Sequence, residues 1–166
     1  MIEAIRRARK VKVLILDVDG VLTDGRLHVG ENDDIRDFDI KDGHGIVIFM
    51  RKGFEVVFVT GRDSKSLQRR ANELGIKRVY TGIRKKGEFY DKLKEEMGFS
   101  DEEVAFVGDD VVDLSIMKKV GFPIAVGDAV REVKREAVYV TKNLGGRGAV
   151  REVIELILKA KGMWDY

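Results

Sequence analysis

Four short stretches of the 166-residue sequence put acidic, hydroxyl and cationic side chains directly behind apolar runs. "VLIL" leads into Asp17, Val18, Asp19 and Gly20. "FEVVFV" leads into Thr60, Gly61 and Arg62. "KRVYT" is followed by Lys85 and Lys86, and "VAFV" by Gly108, Asp109, Asp110 and then Asp113. In an extended chain, side chains at i and i+2 share a face, so Asp17 and Asp19 converge and their repulsion must be offset. Carboxylates grouped with one hydroxyl and a few cations suit a hard cation bound together with a phosphate. Mg2+ takes oxygen ligands, uses one or two carboxylates and leaves its other positions to water and phosphate oxygens. Taken singly, each acid reads as a solvated loop residue or a helix N-cap, Thr60 as a β-branched strand end and each lysine as a surface cation. Their recurrence at four successive run ends points to one site.

The elements that must position these residues follow from the apolar pattern. Runs at 11–16, 54–60, 77–81, 104–108, 123–126 and 137–141 are rich in Val, Ile and Phe, as in strands buried on both faces of a parallel sheet. Amphipathic stretches at about 43–52, 64–74, 86–97, 111–119, 129–136 and 148–161 alternate with them. The alternation predicts an α/β fold, a doubly wound Rossmann-like parallel sheet, whose ligands bind outside the carboxyl ends of the strands. Gly75, Gly98 and Gly121 are expected as left-handed residues just past helix ends. Ser100 followed by Glu103 matches a capping box, but a strand begins immediately after, so a short turn is expected. The segment 26–40, "RLHVGENDDIRDFDI", breaks the rhythm and predicts a β-hairpin over the same sheet edge. No internal repeat, low-complexity stretch or Pro/Ser-rich linker occurs, and the length suits one domain over 1–166, with a C-terminal helix and tail at about 148–166.

Composition narrows the classes. Lys and Arg number 31 against 29 for Asp and Glu, so no charge excess calls for nucleic acid or an acidic membrane. The absence of cysteine excludes disulfides and thiolate metal sites, in keeping with a cytoplasmic protein. The opening "MIEAIRRARK" is basic, yet the apolar run behind it is too short for a signal peptide or membrane span.

"DVDGVLTDG", "VTGR", a lysine after the third strand and "GDDVVDL" resemble the four motifs of the haloacid dehalogenase superfamily of phosphatases. Beyond them, "DIKDGHGI" (39–46), "TGRDSKSLQRRANELGI" (60–76) and "GGRGAVREV" (145–153) are similar to the 3-deoxy-D-manno-octulosonate 8-phosphate (KDO 8-phosphate) phosphatase family. The resemblance implies a haloacid dehalogenase fold and hydrolysis of a phosphomonoester through an aspartyl-phosphate. It makes Asp17 the nucleophile, and Asp19 the acid that protonates the leaving alkoxide and then the base that activates water. It implies Mg2+ held by the Asp17 carboxylate, the Asp19 main-chain carbonyl and Asp109, with Thr60 and Lys86 on the transferring phosphoryl oxygens. The family's spacing from Gly82 selects Lys86 over Lys85. Asp113 would orient Lys86 or a water at the metal, and Asp110 would support the site.

The same resemblance places contacts to a phosphorylated sugar acid at Asp19, Asp39, Ile40, Lys41, Asp42, Gly43, Arg62, Arg70 and Lys86; arginines suit its carboxylate because they pair with both oxygens. Where the family tends to carry a basic residue this chain has Val47, which cannot bind an anion. Neither the stretch from Arg26 to Val59 nor that from Asp63 to Lys85 can hold an inserted cap domain. The resemblance therefore implies a homotetramer whose subunits cover one another's sites, with Val29 and Ile35 available for the contact. "NLGGRGAV" (143–150) is expected to be a mobile loop that closes on a site. Two other classes fit parts of the pattern: a receiver-type phosphoacceptor module, and a catalytically idle binding subunit.

Overall fold

In the computed structural model, which describes residues 1–32 and 34–166, six strands form one all-parallel sheet in the order β3-β2-β1-β4-β5-β6. The strands are β1 (Val13–Leu16), β2 (Glu55–Val59), β3 (Arg78–Tyr80), β4 (Val104–Gly108), β5 (Phe122–Ala125) and β6 (Tyr139–Val140). This is the dinucleotide-fold strand order; receiver modules use 2-1-3-4-5, so the topology sets that alternative aside. Strand β1 lies at the centre, with Leu16 level with Phe58 of β2 and Val107 of β4. All four of its side chains are buried, which is why its sequence shows a continuous apolar run instead of an alternating one.

Among the described residues seven α-helices cover the sheet: α1 (Ile2–Ala8), α2 (Ile40–Arg51), α3 (Lys65–Leu74), α4 (Lys86–Met97), α5 (Leu114–Met117), α6 (Arg131–Glu136) and α7 (Ala149–Ala160). Helices α1, α2, α3 and α7 pack as one group and α4, α5 and α6 as another. Right-handed crossovers place them on opposite faces, because the chain moves outward from β1 through β2 to β3 and then returns to β4. Only the segment 17–39 separates β1 from α2, and only α3 with its short connections separates β2 from β3. Among the described residues no helix is long and apolar enough to cross a membrane.

Several elements differ from the sequence-based expectation. Helix α1 was not expected; it buries only Ala4 and Ala8, and its visible signal is the pairing of Glu3 with Arg6 and Arg7. Helix α2 starts earlier than expected because the Asp39 carboxylate accepts hydrogen bonds from the Lys41 and Asp42 N–H groups. The helix expected at 111–119 divides into a 3-10 turn, Val111–Asp113, and the short α5. The turn after Ser100 is a 3-10 helix in which the Ser100 N–H donates to Glu103. Among the described residues the hairpin reduces to two arms joined by a single antiparallel bridge, His28 to Ile35, since a two-stranded ribbon with no third strand gains little from a ladder. Asp33, within the segment expected as a hairpin, lies outside the described residues. Gly75 and Gly98 do end their helices in the left-handed region. Gly121 does not; a Cβ there would lie 2.5 Å from the Glu102 Cα, so close backbone approach requires it.

The loop 143–148 packs against the turn behind β1. The Gly146 N–H donates to the Val21 carbonyl at 2.9 Å, and a Cβ on Gly145 would lie 1.7 Å from the Gly20 oxygen. Behind it, Asp42 of α2 accepts the Arg151 N–H at 2.7 Å and the Gly148 N–H at 3.3 Å, filling the donors at the start of α7. Burial outweighs these donors and pushes the Asp42 carboxyl up to about 6. The folded state then holds this proton more tightly than the unfolded chain, so its contribution to stability is present below about pH 4 and lost as pH rises through about 6. An Asp42→Asn variant should gain about 3 kcal/mol relative to the parent between pH 4 and pH 7. Urea unfolding of both proteins at the two pH values measures this difference.

Candidate active site

The main chain aims the acids. The Asp17 N–H donates to the Val107 carbonyl, extending the β1–β4 ladder by one residue and fixing Asp17 at the strand end. Behind it the chain turns so tightly that the Val18 carbonyl faces the N–H groups of Val21, Leu22 and Thr23. The buried Thr23 hydroxyl accepts from the Gly20 and Gly25 N–H groups, clipping the turn closed. The Asp19 carbonyl is left with no backbone donor among the described residues. Thr60 sits at the end of β2, 2% exposed, and its hydroxyl accepts the Arg62 N–H.

Lys86, the first residue of α4, lies 2% exposed among these strand ends. Its Nζ donates to Asp17 Oδ1 at 2.7 Å and to Asp113 Oδ1 at 2.6 Å. The second Asp113 oxygen accepts the Asp109 N–H at 3.0 Å and the Asp110 N–H at 3.4 Å, so both of its oxygens are occupied. Burial alone would depress the Lys86 ammonium, but the two carboxylates outweigh it and hold the group above its ordinary range. Lys85 points outward to Glu88. Asp110 starts the 3-10 turn by accepting the Val111 N–H.

One oxygen each from Asp17, Asp109 and Asp113 lies within 4.8 Å of the others. Burial first, and then neighbouring carboxylates, push both Asp17 and Asp109 upward from the usual acid range. Three carboxylates against the one Lys86 ammonium leave two negative charges, which one divalent cation would balance. With Asp113 engaged by Lys86 and the backbone, the Asp17 and Asp109 carboxylates offer oxygen donors of the kind Mg2+ takes.

A cavity of about 530 Å3 opens over this cluster, lined by Asp17, Asp19, Thr60, Arg62, Lys86 and Asp109 among others. Arg84 also lines it, a cation the sequence reading passed over in favour of the two lysines that follow. Asp39, Asp42, Gly43 and Arg70 are not brought into this cavity. They border a separate small cleft with Phe38 and Leu74, where Arg70 donates to Glu73. Ile40 and Lys41 are exposed on the surface of α2. Val47 is half-buried in another groove, beside Met50 and Phe54.

Addition of Mg2+ should raise the thermal unfolding midpoint, because ligand that binds only the folded state stabilises it. In Asp109→Ala the shift should vanish while the metal-free protein remains folded, as read by scanning fluorimetry over a MgCl2 titration.

Comparison with known proteins places this arrangement. A family profile described as haloacid dehalogenase-like hydrolase matches residues 79–154. The 3-deoxy-D-manno-octulosonate 8-phosphate phosphatase of Escherichia coli strain K12 is 42% identical over 164 residues, which cover 98% of this chain and 87% of that protein. The crystal structure of the phosphatase of the same name from Yersinia pestis superposes with a TM-score of 0.94 at 41% identity, over 97% of this chain and 88% of that one. The Moraxella catarrhalis phosphatase, solved with magnesium, phosphate and KDO, gives a TM-score of 0.96 at 35% identity, over 99% of this chain and 95% of that one. Full-length likeness in sequence and backbone thus accompanies the four strand-end motifs, and the chain belongs to the KDO 8-phosphate phosphatase family of haloacid dehalogenase-like hydrolases.

Proposed function

We propose that this chain forms a single Mg2+-dependent phosphomonoesterase domain acting on 3-deoxy-D-manno-octulosonate 8-phosphate. The observation that carries the reading is the Asp17–Lys86–Asp113 bridge beside Asp109, at the floor of a cavity that also holds Asp19 and Thr60. Lys86 occupies Asp17 Oδ1, leaving Oδ2 to attack phosphorus. As the Asp17–phosphorus bond forms, the bond to the leaving oxygen breaks and Asp19 gives that oxygen its proton. Water then attacks the aspartyl-phosphate, Asp19 takes a proton from it, and inorganic phosphate leaves. Thr60 and Lys86 hold phosphoryl oxygens through both steps. Mg2+, when bound, neutralises charge on the transferring group.

The sugar-acid assignment is supported by the relatives named above and by Arg62 and Arg84 in the cavity, either of which can pair with a carboxylate. Asp39, Ile40, Lys41, Asp42, Gly43 and Arg70 stand outside the chain's own cavity, so any contact of theirs with substrate would be with a site completed by another subunit. The cavity is open, and Val29, Ile35 and Ile40 are 82%, 62% and 80% exposed. Burying such side chains against a second copy would cover the cavity and exclude water. We take the assembly to be a homotetramer, working in the cytoplasm in lipopolysaccharide sugar synthesis.

Phosphate release should be Mg2+-dependent and, across a panel of sugar phosphates and phosphoserine, fastest with KDO 8-phosphate. Asp17→Asn should abolish turnover of every ester the parent hydrolyses, and retained turnover would show that the nucleophile lies elsewhere. Light scattering of the active protein should give about four times the 18.8 kDa chain mass; a fully active monomer would exclude cover by a neighbour.

A further inference from the structure

The segment between β1 and α2 sends one charged side chain into the interior. Arg36 is 5% exposed, while its neighbours Ile35 and Asp37 face solvent. Its Nε donates to Asp19 Oδ1 at 2.7 Å, and one of its terminal nitrogens is buried with no hydrogen-bond partner among the described residues. Such a placement is a poor stability device. It immobilises a long side chain, desolvates a cation and leaves a donor unpaired, all to pair a carboxylate that is 30% exposed and could be hydrated instead. What the contact does accomplish is orientation. A planar guanidinium bound through Nε fixes the carboxylate plane of Asp19 and occupies one oxygen.

We propose that Arg36 is a positioning residue for Asp19, holding Oδ1 so that Oδ2 is the oxygen that exchanges protons in the cavity. The role rests on the phosphomonoesterase reading above. In the first step the phosphorus–leaving-oxygen bond breaks as the bond to Asp17 forms, and the Oδ2 proton passes to the departing oxygen. In the second, water adds to phosphorus, the bond to Asp17 breaks, and the water's proton returns to Oδ2. Arg36 keeps its own protons throughout. The segment that carries it is held from the other side by Ser66 of α3, whose hydroxyl donates to the Asp34 carbonyl.

The experiment compares the parent with Arg36→Met and Arg36→Lys on two Mg2+-supported substrates. One is a sugar phosphate, whose alkoxide must be protonated; the other is p-nitrophenyl phosphate, whose leaving group needs no proton. In Arg36→Met, kcat on the sugar phosphate should fall about 10- to 100-fold with KM within about twofold, the share expected when general acid catalysis is misaligned. Rapid mixing with p-nitrophenyl phosphate should give a first turnover within about threefold of the parent, followed by slowed steady turnover, because only dephosphorylation needs Asp19 there. The thermal midpoint should not fall, and Arg36→Lys should recover part of kcat. Should Arg36→Met fail to fold, Arg36→Lys carries the same test through a smaller loss confined to the protonated leaving group. An equal loss in the first turnover with both leaving groups, a raised KM with kcat intact, or unchanged kinetics would overturn the proposal. A parent that hydrolyses neither ester overturns the phosphatase reading itself, whereas a parent active on both leaves that reading standing whatever Arg36 does.

Discussion

The Lys86 ammonium, held between Asp17 and Asp113, is the contact on which the rest of the site depends. These two buried carboxylates, one at the end of β1 and one in the 3-10 turn behind β4, would repel each other without it. Asp113 then spends its second oxygen on the N–H groups of Asp109 and Asp110, so the same cation indirectly sets the loop behind β4. The parallel sheet makes this possible by bringing the ends of β1, β2 and β4 and the start of α4 to one edge. A lysine at the first turn of a helix works against the helix dipole. Its position there is understandable only as the partner of two acids from other elements.

The parts of the fold visible in the sequence are those set by local pattern. Continuous apolar runs marked the inner strands β1, β2, β4 and β5, because a parallel strand covered by helices has no polar face to interrupt it, while the edge strands β3 and β6 are shorter and only half-buried. Helix α1 was hidden because a short helix that buries two alanines leaves no apolar stripe. The hairpin was overread for the opposite reason: its segment breaks the rhythm with strand-like pieces, but among the described residues no third strand pairs with its arms.

At the site, the i and i+2 spacing predicts that Asp17 and Asp19 converge, whereas the structure groups Asp17 with Asp109, Asp113 and Lys86 and turns the Asp19 carboxylate to Arg36. Other contributors were illegible. Arg36 sits in "DDIRDFDI", where a cation among acids reads as solvated, and its partner Asp19 is 17 positions away. Thr23 is an ordinary turn residue until its hydroxyl is seen to accept two N–H groups. Asp42 shows the converse. The family motif marks it as a substrate contact, while the fold uses its carboxylate at the start of α7.

The glycine pair at 145–146 has a bearing on dynamics. Its backbone lies directly against the turn that carries Gly20 and Thr23, with no side chain between them to act as a cushion. Two packed backbones cannot slide independently, so the turn behind Asp17 and the start of α7 form one cooperative unit, which also includes α2 through Asp42. Local opening of the C-terminal helix therefore withdraws support from the end of β1. The lifetime of the intact cavity is tied to a helix that is not among the elements lining it.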